Sequence, residues 1–516
     1  MNMYPQYAKG KSEYSLQSRL FGHRLKQSQT IYEYLIEFLQ VAISPKSIGD
    51  SKDGGLSSEM FPIDETINLR NITYHPESRM GLKRLVFFPK SKLEGKADID
   101  KRAYDECIKI LADKINGASK TEKQNTISII QSLFNGFSTT LQGRSWFDQN
   151  MLPICPEVIL PEGMGKKSFR QGFNDSLPDA NINVDFLFDF NQYTYMARGG
   201  EIYYLHILNA VNQYPQYSKT LEKSLRKMIT SFPQFSSLCK FIQTNWYLHL
   251  GIDEESVKYK VTKSLGAIPD SFSRRNKYSL SELENLLTSK THPFEKMDIL
   301  SVGVILQLMR MEFLAASDDN NSNCWVIDVN STSYNNPEMR KAAAIAYKKN
   351  EETIQNYLYR GYDSIKEQLI TSAEKKGKTP PDEVKIIRDA ADDSYKLFRK
   401  LGKTIGLVIP VKGPYMRFSL PETVIKFLVL SIIPPKCMIT LDEFISRIYK
   451  HFGMVIDKEQ YRIEMEKGAV KEITNFSFLS QNKAAFSQKL KDCGFLRDLS
   501  DATSIVENPY EKEQEV

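Results

Sequence analysis

RFSLPETVIKFLVLSIIPP at 417–435, TLDEFISRIYKHFG at 440–453 and NKAAFSQKLKDCGFLRDLSDATSIVENPY at 482–510 decide how the C-terminal part of this 516-residue chain is read. In the first stretch Val424, Ile425, Leu428, Val429 and Ile432 recur at helical spacing behind Leu420-Pro421-Glu422, and Pro434-Pro435 stops the run. In the second, Thr440 and Glu443 stand at capping-box spacing. Phe444, Ile445, Ile448, Tyr449 and Phe452 fall on one face, and Gly453 closes the helix. The third stretch predicts a helix from about Asn482 to Cys493, with Ala485, Phe486, Leu490 and Cys493 inside and Gly494 at its end. Residues 495–510 then place a polar turn between apolar flanks. Three helices followed by a β-hairpin predict a winged-helix-like domain over 409–516.

When such a module works on DNA, its third helix enters the major groove and neighbouring cations hold phosphates. Lys483, Gln488, Lys489 and Lys491 on that helix, with Arg497 at the approach to the hairpin, are the candidate contacts to double-stranded DNA. Asp492, Asp498 and Asp501 dilute the positive field. The same architecture also serves as a protein-docking module, so an adaptor without DNA contact stands beside the DNA-binding reading.

Working outward, residues 336–408 are charged and helical, with a Gly-Lys-Thr-Pro-Pro break at 377–381 between two solvated helices. Residues 151–335 form a central α+β region. Four prolines between 153 and 178 exclude a long regular element there. Val184–Phe190 alternates like a strand, and Ile202–Leu208 is rich in β-formers, so Gly199-Gly200 predicts the turn of a hairpin near 184–208. Residues 1–150 are mixed. Thr30 and Glu33 cap an amphipathic helix, Leu85–Phe88 is expected as a strand, and a helical pair runs from Asp98 to about Leu141. A helix from Met297 to Ala315 and a strand at Cys324–Val329 complete the outline. The fold class is mixed α+β, predominantly helical and multidomain.

Two constellations on the expected hairpin bear chemistry. Asp185, Asp189 and Glu201 are the best available carboxylate set for a metal-dependent nuclease, since such groups bring cations against a scissile phosphate. Glu201-Ile202-Tyr203 lacks the lysine of an E-x-K pattern, and strand-rim acids more commonly solubilise. Arg198 at the hairpin tip, with Tyr203 and Tyr204, could stack on bases or receive a partner's loop; cross-strand packing is the plainer role. His206 and His249 are potential bases, but no nucleophile elbow accompanies them.

Lys+Arg 69 against Asp+Glu 63 gives 69 − 63 = +6, too small a charge over this length to mark nucleic-acid binding by itself. Six dispersed cysteines without a CxxC pair argue against structural zinc and suit a reduced cytoplasmic protein, with no cofactor expected. No signal peptide and no uninterrupted membrane-length apolar run are visible, and Val424–Ile433 is expected as a buried helix. A P-loop is absent: Gly402-Lys403-Thr404 lacks the leading glycine, and Gly163–Ser168 has the wrong spacing. A motor function is thereby excluded.

The three C-terminal stretches, together with MARGGEIYYLHIL at 196–208, resemble the large accessory proteins encoded beside ATPases and helicases in bacterial anti-phage and restriction loci. The resemblance covers mainly the last fifth of the chain and carries over no catalytic residue. It implies a non-motor DNA-binding or scaffold subunit of a defence assembly, with an ATPase or helicase partner supplying energy.

Overall fold

The computed structural model describes residues 4, 15–23, 25, 29–47, 56–63, 72–77, 79–90, 98–117, 119–139, 149–160, 199–251, 253, 263–317, 324–330, 336–377, 379–380, 382–499 and 503–513. Helices dominate, strands are two to four residues long, and the architecture is mixed α+β. The chain forms two compact units built from discontinuous stretches: residues 28–204 with 222–265, and residues 1–27 with 205–221 and 266–516.

In the smaller unit the helix Ile31–Ile43 starts at the expected capping box, the Thr30 amide donating to Glu33 at 2.6 Å. At its other end the buried Lys46 ammonium donates to the carbonyls of Ala42, Ser44 and Glu59 at 2.9, 2.8 and 3.1 Å. Lys46–Ser47, Thr73–Tyr74 and Lys263–Ser264 form a small antiparallel sheet. The helical pair is present as Asp98–Lys114 and Lys120–Asn135.

Two expectations for this region are corrected. Leu85–Phe88 lies in and just after the helix Met80–Phe87, and Ile202–Leu208 lies inside the helix Gly199–Gln213, so the hairpin near 184–208 does not form with that run. The physical reason is common to both. A short apolar run buried all round carries no period, and tertiary packing then chooses the backbone. The Gly-Gly pair serves close approach instead of a turn: a Cβ on Gly200 would stand 2.3 Å from the Tyr34 carbonyl oxygen. Residues 161–198, with Asp185, Asp189, Arg198 and the Gly163–Ser168 run, lie outside the described residues.

The larger unit is organised around α1 (Asn276–Thr288) and α2 (Pro293–Ala316). His292 caps α2 by accepting the Phe294 amide, and Pro293 occupies its first turn. By length and composition α2 could span a membrane, which the sequence reading did not anticipate; 94% of its apolar window is buried in the protein. Strand β1 (Trp325–Val326) leads to α3 (Pro337–Lys375), whose buried Met339, Ala343, Ala346, Asn350, Ile354, Leu358, Tyr362 and Ile365 follow a three-or-four spacing. This expected solvated helix therefore has a packed stripe. The second breaks into Glu383–Asp392 and Tyr395–Thr404 at Ser394.

The last part holds α4 (Glu422–Ile432), β2 (Met438–Thr440), α5 (Leu441–Phe452), β3 (Met454–Val455), α6 (Lys458–Glu466), α7 (Ser477–Asp492), β4 (Leu496–Asp498) and β5 (Ser504–Glu507). Strands β2, β5 and β4 form an antiparallel sheet in that order, with Ile505 opposite both Thr440 and Arg497. Helix α7 begins five residues before the expected start, and α6 and β2 were not foreseen.

Candidate interaction module

The geometry of the C-terminal module follows from its caps and its apolar faces. Thr440 Oγ1 accepts the Glu443 amide at 3.2 Å, and Gly453 ends α5 at φ 66°, a conformation that costs glycine least. Phe444 of α5 stacks on Phe486 of α7, ring centres 6.1 Å apart and 10° from parallel. Asn482 locks α7 against β1 and β3. Its side chain accepts the Val329 amide at 2.9 Å and donates to the carbonyls of Ile327 and Ile456 at 3.0 and 2.9 Å. Parallel pairing of Trp325 with Met454 extends the same junction.

Each candidate DNA contact is engaged within the protein. Lys483 pairs with Asp442 and, at 2.9 Å, with the buried Asp457. Lys489 is half-buried and donates to the Leu420 carbonyl at 2.9 Å; burial draws its pKa below the usual lysine value. Lys491 pairs with Asp498 at 2.5 Å, Arg497 with Glu507 at 3.0 Å, and Gln488 donates to Asp492 at 2.8 Å. The exposed residues of α7 are Ser477, Ser480, Gln481, Ala484, Gln488, Lys491 and Asp492, a polar set whose two charges cancel.

A buried polar clamp that the sequence reading missed ties this module to α1 and α2. Arg275 donates to both oxygens of Glu282 at 3.1 and 3.0 Å and to Gln307 at 3.0 Å. Its guanidinium lies 4.7 Å from the Phe452 ring centre and also donates to the His451 carbonyl. His451 Nδ1 approaches Glu282 to 2.6 Å, and Gln307 donates to the same carboxylate. Burial alone would push Glu282 up, but Arg275, His451 and Gln307 outweigh it and hold the carboxyl below its ordinary range. Nearby, His206 Nε2 meets Ser279 Oγ at 2.8 Å, yet burial and the charge of Arg275 draw this histidine down to about 3. A fully enclosed neutral imidazole of that kind offers no base to a substrate.

The remaining sequence candidates sit in the smaller unit. Glu201 is buried and accepts the Tyr74 hydroxyl at 2.7 Å. Tyr203 packs 5.0 Å from Phe38, and Tyr204 stacks 5.7 Å from Phe61 while donating to the Met60 carbonyl. Both tyrosines are buried core residues, but they pack from a helix and not across paired strands as expected. Among the described residues no cluster of three or more His, Cys, Asp or Glu could hold a metal ion.

The C-terminal module, with its three-stranded sheet, is similar to a family of defence-system proteins. The family described as methylation-associated defense system protein MAD7 matches residues 419–510, from the residue after Phe418 to the end of the hairpin region. No curated protein and no solved structure matches the chain. The family match agrees with the resemblance to anti-phage accessory proteins and with a defence-system component as the broad role.

Proposed function

We propose that this chain is a non-motor scaffold subunit of a methylation-associated defence assembly, and that its C-terminal module is a winged helix used to dock protein. The helix order and the β2-β5-β4 sheet, whose last two strands form the wing, support the winged-helix reading. One observation carries the choice of docking over DNA: every cation assigned to phosphate contact already has a carboxylate or carbonyl partner inside the protein. Binding DNA through them would require exchanging those partners for phosphates, and the adjacent carboxylates would repel the DNA and offset part of the gain from counterion release. A second feature favours docking. The turn between Val408–Ile409 and Arg417–Phe418 presents Val411 and Tyr415, 64% and 83% exposed. The missing P-loop fits an ATPase or helicase partner that supplies the energy.

The test is titration of the purified chain with duplex DNA across a salt series, alongside co-purification with any ATPase or helicase found encoded beside it. The docking reading expects no salt-dependent DNA complex, and a partner complex weakened by the double change Val411→Asp and Tyr415→Ala. A DNA complex whose affinity falls steeply with salt and is lost on changing Lys491 and Arg497 to Glu would overturn it in favour of groove binding.

A further inference from the structure

Between α3 and residues 469–475, which connect α6 to α7, lies a cavity of about 640 Å³. That volume is in the range of small-molecule sites. Phe313, Cys324 and Val326 line it, and Tyr461 and Phe478 add aromatic surface. Lys341, Lys349 and Lys471 stand around it against Glu338 and Glu472, so the lining carries an excess of positive charge. Lys349 fixes one edge by donating to the Ala469 carbonyl at 3.0 Å.

Behind the Phe313 wall is a cation that the fold leaves uncompensated. Arg310, one turn before Phe313 on α2, has its guanidinium carbon 5.7 Å from the Phe313 ring centre and 5.3 Å from that of Trp325. The residue is 5% exposed, and its Nε and Nη1 are shut off from water without any hydrogen-bond partner. Glu464 is within electrostatic reach, but its carboxylate is taken by the Tyr449 hydroxyl and by Lys467 at 2.9 Å. Burial first and Arg275 second draw Arg310 down to about 9, which leaves it charged at neutral pH. Proteins seldom retain a buried charge without a partner, and the aromatic faces compensate only part of its lost hydration.

We propose that this cavity binds a small organic anion, an apolar body carrying a carboxylate or phosphate, seated on Phe313, Val326, Tyr461 and Phe478. The anionic head is attracted by Lys341 and Lys471 and, through the wall at Phe313 and Cys324, by Arg310. The cations thus supply charge selectivity, while the aromatic and aliphatic lining supplies the contact area. This inference is independent of whether the C-terminal module docks protein or DNA.

Isothermal titration of the full chain with octanoate, octyl phosphate, octanol and octylammonium tests it. Both anions are expected to bind at least tenfold tighter than octanol, their ratio distinguishing carboxylate from phosphate, and octylammonium is expected not to bind. Ala346→Trp fills the cavity and should abolish binding. The exposed pair Lys341→Glu and Lys471→Glu should weaken the anions at least tenfold and leave octanol unmoved. Arg310→Met should reduce the anion preference severalfold, leaving the part supplied by Lys341 and Lys471, while raising Tm, since no native hydrogen bond is lost. Equal binding of octanoate and octylammonium, unaltered binding by Ala346→Trp, or no binding of any of the four at millimolar concentration would overturn the proposal.

Discussion

At the scale of single residues, the informative positions are ionisable groups placed where water cannot reach them. Glu312 on α2 is fully enclosed, and both carboxylate oxygens are buried without a hydrogen-bond partner. Burial, with a smaller contribution from Asp393, holds its pKa well above the ordinary carboxylate value. The folded chain therefore keeps the proton over a pH range in which the unfolded chain releases it. Stability should fall as pH rises from the ordinary carboxylate range toward Glu312's raised value, by no more than about 1.4 kcal/mol per unit. Glu312→Gln removes that slope, so thermal melts from pH 5 to 8 should show the variant gaining on the natural protein as pH rises. Glu282 behaves oppositely, because Arg275, His451 and Gln307 favour its charged form. Its contribution is complete at neutral pH and is lost only as pH falls through its lowered pKa. Glu282→Ala strands the Arg275 charge and should cost about 3–5 kcal/mol in urea denaturation, whereas Glu282→Gln should cost less. In the sequence, Arg310 and Glu312 were visible as two charges inside the apolar run 306–316. That signal marks a buried ionisable pair of positions; it does not reveal which neighbours are missing.

At the scale of elements, caps and stripes were legible wherever a helix buries one face only. Thr30, Thr440 and Gly453 do what their spacing predicts, and Val424, Ile425, Leu428, Val429 and Ile432 are buried as expected. Short runs buried on every side were not legible, whereas the longer enclosed runs of α2 and α4 were. Leu85–Phe88 and Ile202–Leu208 became helix, because a strand and a helix enclosed by the core present the same uninterrupted apolar run. Helix α7 shows how far an element's role depends on its surroundings. Its lysines look available in sequence, but Asp442, Asp457 and Asp498 come from other elements to meet them. Its anchor is Asn482, which satisfies one amide and two carbonyls of neighbouring segments. Asn482→Ala leaves those three buried groups unpaired and should lower stability by roughly 3 kcal/mol. Hydrogen exchange at the Val329 amide should accelerate, while exchange at residues 441–452 should change much less.

At the scale of the whole molecule, the C-terminal module is part of a larger core and not an appended bead. Phe427 of α4 packs so closely on α2 that a Cβ at Gly303 would stand 2.3 Å from its ring, and β1 pairs in parallel with β3. Lys296 also holds Glu513 at 2.6 Å, near the end of the described chain. A fragment of residues 417–513 should therefore retain helical far-ultraviolet circular dichroism but lose the cooperative thermal transition of the intact protein. A fragment that melts as sharply as the full chain would show the module to be autonomous. The sequence by itself determined the helix-rich class, the absence of a P-loop, and the helix caps and hairpin of the last hundred residues, since these depend on local spacing and backbone preference. Tertiary structure alone decided that Lys483, Lys489, Lys491 and Arg497 are engaged within the protein, that Arg275 and Glu282 clamp the module to α1 and α2, and that Arg310 stands without a hydrogen-bonded partner at its Nε and Nη1 beside a cavity. Those properties are set by partners brought from distant parts of the chain, and electrostatic energy depends on distance and burial, which spacing along a sequence does not encode.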